Sequence, residues 1–483
     1  MKTVSNHLIM NDMKKIYIIM TLVLTGTMAL AQTSAWNGGR QIWTRGAGTE
    51  DDPYLLESAD HLACLAYMVN KGYETEGMYF RLTTDVDLQG SISQQWIPIG
   101  LGDRWFNDDG CDRGKQTGLA TNLHTIFRGH FDGGDHYISN IYIDNSEKTY
   151  GSSVGLFGNV EGKKEGQVVY PAVIENVFLL NGYIKGDCCG GSVGNGSSAA
   201  TTLVSRCWNG ATIEGINAGT QNGCGGIIGA NAYQVINCYN KGEIKGYNVG
   251  GIVGCGKAAI EECYNEGSIS GVFAGGIYGY SLSQKTTINN CYNTGNVNAE
   301  GIATNAQSGP AAGGIAGFLM RGNSSVTNCY NVGEITSTNL AGCIVGYNTV
   351  TIENCYFVNT CVGGEEGTPQ SEDEMRTQEF VDQLNGINPD PVWGMDVNSH
   401  NNGFPILLNN ALAVAETSKT ALKVYPNPAH GRFTVEGKGL VIVRNIFGQT
   451  ILTREIDGQI AMELPRGMYF VSLGDATRKI VVE

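Results

Sequence analysis

The chain has 483 residues, 68 of them glycine, and carries 46 acidic against 31 basic side chains for a net charge of −15. That length suits two or three domains with a sizeable core. The acidic balance disfavours a nucleic-acid surface, which requires a basic stripe, and the glycines lack the Gly-X-Y period of collagen.

At the N-terminus, Lys14 and Lys15 precede the apolar run "IYIIMTLVLTG", and a small-x-small site ends at Ala31. This pattern predicts a secretory signal peptide over residues 1–31. The run is short for a bilayer span, so no transmembrane segment is expected in the mature chain. Next, "SADHLACLAYMVNKG" places Leu62, Leu65, Ala66 and Val69 on one helical stripe behind Ser58, a good N-cap. We read it as a short helix closing the end of a solenoid, which would otherwise expose a sheet edge. "YFRLTTDVDLQG" and "HFDGGDHYISNIYID" read as the first strands.

Between them lies the acidic insertion "LGDRWFNDDGCDRGKQTG". Its Trp105 and Phe106 are candidate binding residues. Its Asp103, Asp108, Asp109 and Asp112 form an oxygen-rich loop of the kind that holds calcium, although the full EF-hand spacing is missing. Solvated turn carboxylates are the plainer reading, and no cofactor other than calcium is expected.

The middle of the chain repeats itself. Cys207, Cys238, Cys263, Cys291, Cys329 and Cys355 recur at intervals of 25–38 residues inside the word Cys-Tyr-Asn-x-Gly or a close variant. A second word, Gly-Gly-Ile-x-Gly, starts at Gly225, Gly250, Gly275 and Gly313, with a degenerate Gly342-Cys343-Ile344. Self-similarity at this period marks a solenoid. Short β-branched bursts separated by Gly and Asn make it a β-helix rather than a helical repeat. The expected fold is all-β: a right-handed parallel β-helix of 9–10 coils, about 45 Å long at the spacing of neighbouring strands, over residues 36–410.

Residue parity adds a constraint. Ile288 and Cys291 cannot both face inward on a straight strand, so a bend is expected near Asn289 and Asn290. The six repeat cysteines then form a buried stack of small apolar groups. Cys188, Cys189, Cys224, Cys255 and Cys361 are left as the disulfide candidates. Trp208, Tyr239, Tyr264, Tyr292, Tyr330 and Tyr356, each following a repeat cysteine, are expected to face outward. They would form either a ladder shielding the sheet or a platform for sugar rings.

Downstream, "SEDEMRTQEFVDQLN" reads as an acidic helix, and "NNGFPILLNN" as closing the far end. A linker over 411–420 leads to a cysteine-free unit, 421–483, that alternates strands and turns and should be a small Ig-like antiparallel β-sandwich.

Two resemblances follow from these words. The repeats, with the upstream "GAGTEDDPYLL", "WIPIG" and "FRGHFDGGDHYISNI", resemble the GLUG-motif repeats of bacterial surface proteins. "VYPNP" at 424–428, "NIFGQ" at 445–449, "LPRGMYFVSL" and "RKIVV" resemble the C-terminal sorting domain of the type IX secretion system, with Gly448, Gly467 and Tyr469 on its pattern. This second resemblance implies a Bacteroidota-type source, a partnership of residues 421–483 with the secretion machinery, and export across the outer membrane. It also implies removal of the domain, leaving the rod on the cell surface or released.

Functionally, the sequence favours binding over catalysis. Residues 171–360 hold one aspartate, Asp187, and no histidine, a poor stock for the paired carboxylates of a glycosidase. No catalytic residue is nominated. The expectation is an adhesin contacting glycans or host and bacterial surface proteins. One alternative is a polysaccharide- or glycoprotein-degrading enzyme with its site near the N-terminal coils. The other is a purely structural surface protein.

Overall fold

The computed structural model describes residues 33–102, 125–408 and 423–482, apart from 148, 167, 198–200, 217–221, 283, 303–308, 321–322, 365, 387–390, 426–428, 446–449 and 474–475. The signal-peptide segment, the acids and aromatics of 103–112 and the 411–420 linker lie outside the described residues.

One coil shows how the repeat builds the rod. It contains five short strands: Thr286–Asn289, Tyr292–Asn293, Val297–Ala299, Ala311–Gly313 and Ala316–Leu319. Each pairs in parallel with its counterpart one coil earlier, aligning Thr286 with Ala258, Tyr292 with Tyr264, Val297 with Ile269, Ala311 with Phe273 and Ala316 with Tyr278. Stacking produces five faces, which we number in chain order. The first has 10 strands, the second 11, and the third, fourth and fifth have 7 each. The molecule is thus a parallel β-helix. Among the described residues it has seven complete five-strand coils, and partial turns at the ends bring the first two faces to the 10 and 11 strands that match the expected 9–10 levels more nearly.

The parity problem is solved by backbone geometry. Asn237, Glu262, Asn290, Asn328 and Asn354, each just before a repeat cysteine, have φ between 51° and 53°. This left-handed conformation turns the chain so that Ile288 and Cys291 both reach the interior at 0% exposure. Asparagine tolerates it better than most L-residues. The six cysteines do form the internal stack. Cys207 N–H, Cys238 N–H and Cys291 N–H each point at the next coil's sulfur at 3.4 Å. Each thiol also donates to the carbonyl two residues earlier, as Cys263 does to Glu261 O at 3.2 Å.

The two repeated words are two halves of one contact. The asparagine of Cys-Tyr-Asn is fully buried in every complete copy (Asn240, Asn265, Asn293 and Asn331 at 0% exposure). The first three donate Nδ2–H to the side-chain oxygen of the next, at 2.8 Å from Asn240 to Asn265, Asn265 to Asn293 and Asn293 to Asn331, where the ladder ends beside Phe357. Each also closes a turn by bonding the carbonyl two residues on, as Asn265 does with Gly267 O at 2.8 Å. The second glycine of Gly-Gly-Ile supplies the room: a Cβ on Gly251 would lie 2.5 Å from Asn265 Cγ. The last glycine of the word brings the fifth face onto the fourth, since a Cβ on Gly254 would collide with Cys224 N. This packing gives the amides of Asn240, Asn265 and Asn293 a partner for both N–H groups, as a buried polar ladder demands.

At the N-terminal end, the helix Ala59–Asn70 is capped by Ser58 Oγ, which accepts from His61 N–H at 3.2 Å. It buries Leu62, Leu65, Ala66 and Val69, the stripe read from sequence. Asn70 ties the helix to the first turn, donating to Pro98 O and accepting from Gly100 and Leu101 N–H at 2.8–3.1 Å. At the other end, a disulfide joins Cys343 to Cys361. Cys188, Cys189, Cys224 and Cys255, also disulfide candidates, are instead buried free thiols. In parallel register Cys189 lies beside Cys224 with both side chains directed the same way, which disfavours a bridge.

The segment expected to close the far end does something else. The strand Thr368–Gln370 extends the second face past Tyr356–Val358. The helices Glu372–Met375 and Gln378–Asn385 and the pair Trp393–Gly394 with Ile406–Leu407 then pack along the outer side of that face. The tail is a separate antiparallel unit of five strands: Lys423–Tyr425, Arg432–Asn445, Thr450–Glu463, Gly467–Leu473 and Ala476–Val482. All five are joined in one hydrogen-bonded sheet around Phe433, Val435, Val441, Val471 and Ile480. Among the described residues, no helix is long and apolar enough to cross a membrane.

Candidate functional site

Four surfaces bear on function. The first is the aromatic stripe on the second face. As parity requires, the rings project outward, with Tyr239, Tyr264, Tyr292 and Tyr330 stacked 4.7–5.0 Å apart and within 2° of parallel. Trp208 continues the stack at 5.6 Å from Tyr239. They are not exposed, however. The four tyrosines are 0–6% accessible. Trp393 lies 6.0 Å from Tyr292 and 5.5 Å from Tyr330, and Phe380 lies 5.0 Å from Tyr356. The Tyr330 hydroxyl donates to Pro405 O at 2.6 Å and accepts from Asn401 Nδ2–H at 2.7 Å. Burial pushes the phenols of Tyr292 and Tyr330 far above the ordinary tyrosine range. The sugar-platform expectation is therefore corrected for these four residues: a second apolar layer from the C-terminal segment covers them. Trp208 and Tyr356, near the ends of the stack, are half-buried.

The second surface is a charged cluster on the first face, in the N-terminal coils. Parallel register places Asp132 beside Glu175 and Arg81 beside Asp132. His130 Nε2 meets Glu175 Oε1 at 2.7 Å, and Arg206 reaches Glu175 Oε2 at 2.9 Å. The His130 hydrogen bond is the main force lowering the Glu175 pKa, helped by the charges of His130 and Arg206. Asp132 accepts from Asn176 Nδ2–H at 2.6 Å and pairs with Arg81 at 3.4 Å. At the next corner, His136 Nδ1 meets Asp85 Oδ1 at 3.0 Å. These carboxylates are all partnered by cations or amide donors. The arrangement organises charge on a solvent-facing strand row.

The third surface lies on the third face of the first two complete coils. Tyr142 and Tyr183 are in register, half-buried, with ring centroids 5.7 Å apart. The Tyr183 hydroxyl donates to Glu214 Oε2 at 2.7 Å, and Lys185 Nζ donates to Glu214 Oε1 at 2.7 Å. Asp144 stands beside Lys185 in register, and Gln95 Oε1 accepts from Asp144 N–H at 2.8 Å. The sequence reading missed this pair. The signal available was the period-two spacing of Tyr142 and Asp144, and of Tyr183 and Lys185, in "NIYID" and "GYIKG".

The fourth surface is a shallow depression bordered by Tyr67, Lys71, Gly72 and Tyr73, where the Arg40 guanidinium sits 4.2 Å over the Tyr67 ring. Among the described residues, no group of three or more His, Cys, Asp or Glu is placed to hold a metal ion. The proposed calcium acids Asp103, Asp108, Asp109 and Asp112, with Trp105 and Phe106, lie outside the described residues.

Similarity to known proteins is partial. Over 187 residues, 38% of this chain, it is 32% identical to Halomucin of Haloquadratum walsbyi. Over 146 residues, 30% of this chain, it is 29% identical to a provisionally named Gly-rich membrane protein of Evansella cellulosilytica. The matched stretches span only 2% and 13% of those two proteins. A Bacteroides ovatus crystal structure provisionally described as an immunoglobulin A1 protease overlays with a TM-score of 0.44 at 19% identity, over 76% of this chain and 95% of that one. The decisive match is at the tail. Residues 423–483, the separate antiparallel unit, match the secretion system C-terminal sorting domain, and the chain is therefore a type IX secretion client delivered to the cell surface or the extracellular space.

Proposed function

We propose that this exported chain is a binding protein, an adhesin whose β-helix contacts glycans or surface proteins through its outer faces. In this reading residues 1–31 are removed as a signal peptide. The coils are GLUG-type units of a Bacteroidota-type surface protein. The sorting domain is cleaved after export, leaving the rod on the cell or free. The observation that carries the proposal is the first face. Its outward row runs in register through Ser205, Ile236, Glu261, Asn289, Thr327 and Glu353, coil after coil. A strand row repeated every ~4.8 Å suits many weak contacts added by multivalency.

The test is to incubate the mature protein with mucin and a panel of polysaccharides, assaying bound protein and released reducing ends together. Binding without release supports the adhesin. A polysaccharide- or glycoprotein-degrading enzyme is the second reading, favoured by the His130, Glu175 and Asp132 cluster. Released ends that vanish in Glu175→Gln would establish it. Neither binding nor release would leave a structural surface protein.

A further inference from the structure

We infer that the third face of the first two complete coils is a glycan-binding patch in which Tyr142 and Tyr183 stack against an uncharged pyranose. Asp144, Lys185, Glu214 and Gln95 form its hydrogen-bonding rim. The inference rests on the binding reading above and gives it a location and a ligand class.

These two tyrosines differ from those of the repeated word. Tyr264 and Tyr292 stack within 2° of parallel under a second layer, whereas Tyr142 and Tyr183 are tilted by 33° and half-exposed. Two neighbouring half-exposed rings offer an apolar surface that matches the C–H face of a hexose. The Tyr183 ring is also held in place. Its hydroxyl donates to Glu214, which Lys185 holds from its other oxygen. A ring fixed before binding loses little side-chain entropy when the ligand arrives.

The rim supplies the other half of sugar recognition. Asp144 and Glu214 accept hydrogen bonds, Lys185 donates, and the Gln95 amide can do both. Charge then selects the ligand. Along the strand row Asp144, Lys185, Glu214 and Lys245 follow one another in register with alternating sign. The row sums to zero, so it does not concentrate a polyanion as a basic stripe would. The patch is local: beyond Tyr183 the register partner is Thr212, which ends the aromatic surface.

The experiment is affinity electrophoresis of the mature protein in gels containing dextran, mannan or arabinogalactan, with heparin as the polyanionic control. Tyr142→Ala, Tyr183→Ala and the control Tyr233→Ala, at an exposed tyrosine elsewhere, are run beside the wild type. Melting curves verify the fold. We expect at least one neutral polysaccharide to retard the wild type and Tyr233→Ala. Each patch variant should weaken that retardation by about tenfold, and Tyr183→Phe, which loses only the Glu214 tie, by less. Equal retardation of wild type and patch variants overturns the patch while leaving the adhesin standing. Retardation by heparin alone overturns the uncharged ligand class. No retardation in any gel overturns the patch, and the adhesin with it if mucin binding also fails.

Discussion

The tyrosines of the second face and those of the third obey the same alternation yet meet opposite fates. Tyr264, Tyr292 and Tyr330 belong to the repeated word, stack in strict register and are buried, with Trp393 against Tyr292 and Tyr330 and with Phe380 and Pro405 also against Tyr330. Tyr142 and Tyr183 sit outside that word and stay half-open to solvent. In this molecule strict repetition serves interior ladders of Cys, Asn and Tyr. The surfaces available to a partner are drawn from positions that vary between coils. A repeated aromatic is thus a poor guide to a binding platform unless what covers it is known.

That contrast can be broken in several places. The largest effect should come from the covering layer. Trp393→Ala removes a ring that touches both Tyr292 and Tyr330 and should weaken docking of residues 368–408 by about 3–5 kcal/mol. Hydrogen exchange should show that segment opening while the coils around Cys238 and Cys263 stay protected. If those coils loosen equally, the layer is part of the rod's core rather than a cover. Next is the amide ladder. Asn265→Ala leaves Asn240 Nδ2 and the Gly267 N–H and carbonyl short of partners and should cost about 3 kcal/mol in denaturant unfolding.

A pH effect distinguishes the open charged cluster from the dry ladders. Glu175 has its pKa lowered by the hydrogen bond from His130 and by Arg206. Its contribution is therefore full above the unfolded carboxylate pKa and lost as pH falls through the lowered folded value. Glu175→Gln should narrow the stability difference between pH 7 and pH 3, whereas Asn265→Ala should leave it unchanged; acid-titrated unfolding reads both. The smallest effect is a gain. Glu262 occupies the left-handed bend that asparagine holds in the neighbouring coils, at φ 52°. Glu262→Asn should raise stability by about 0.5 kcal/mol, measured as a shift in the unfolding midpoint.

Much of the rod was legible in the sequence. The cysteine spacing carried the coil, and the three-residue gap from Ile288 to Cys291 located the bend at Asn290. The stripe on Leu62, Leu65 and Val69 marked the N-terminal helix. All of these are local or periodic signals. The rest depends on long-range docking, which no period encodes. Nothing in residues 371–408 says that they lie along the second face instead of across its end. Cys343 stands where a glycine belongs, so its partnership with Cys361 was hidden inside a degenerate word. The asparagines looked like turn residues, and they are; their second role, the amide ladder, appears only when coils stack.

The central claim is that the repeated tyrosines are covered and the unrepeated pair is open. Tetranitromethane footprinting of the native protein, read by peptide mass spectrometry, tests it most directly. The account predicts fast nitration at Tyr142 and at exposed Tyr73 and Tyr233, with Tyr264, Tyr292 and Tyr330 untouched until the chain unfolds. Nitration of Tyr264, Tyr292 and Tyr330 as fast as Tyr142 in the folded protein would contradict it and return the second face to candidacy as the binding surface.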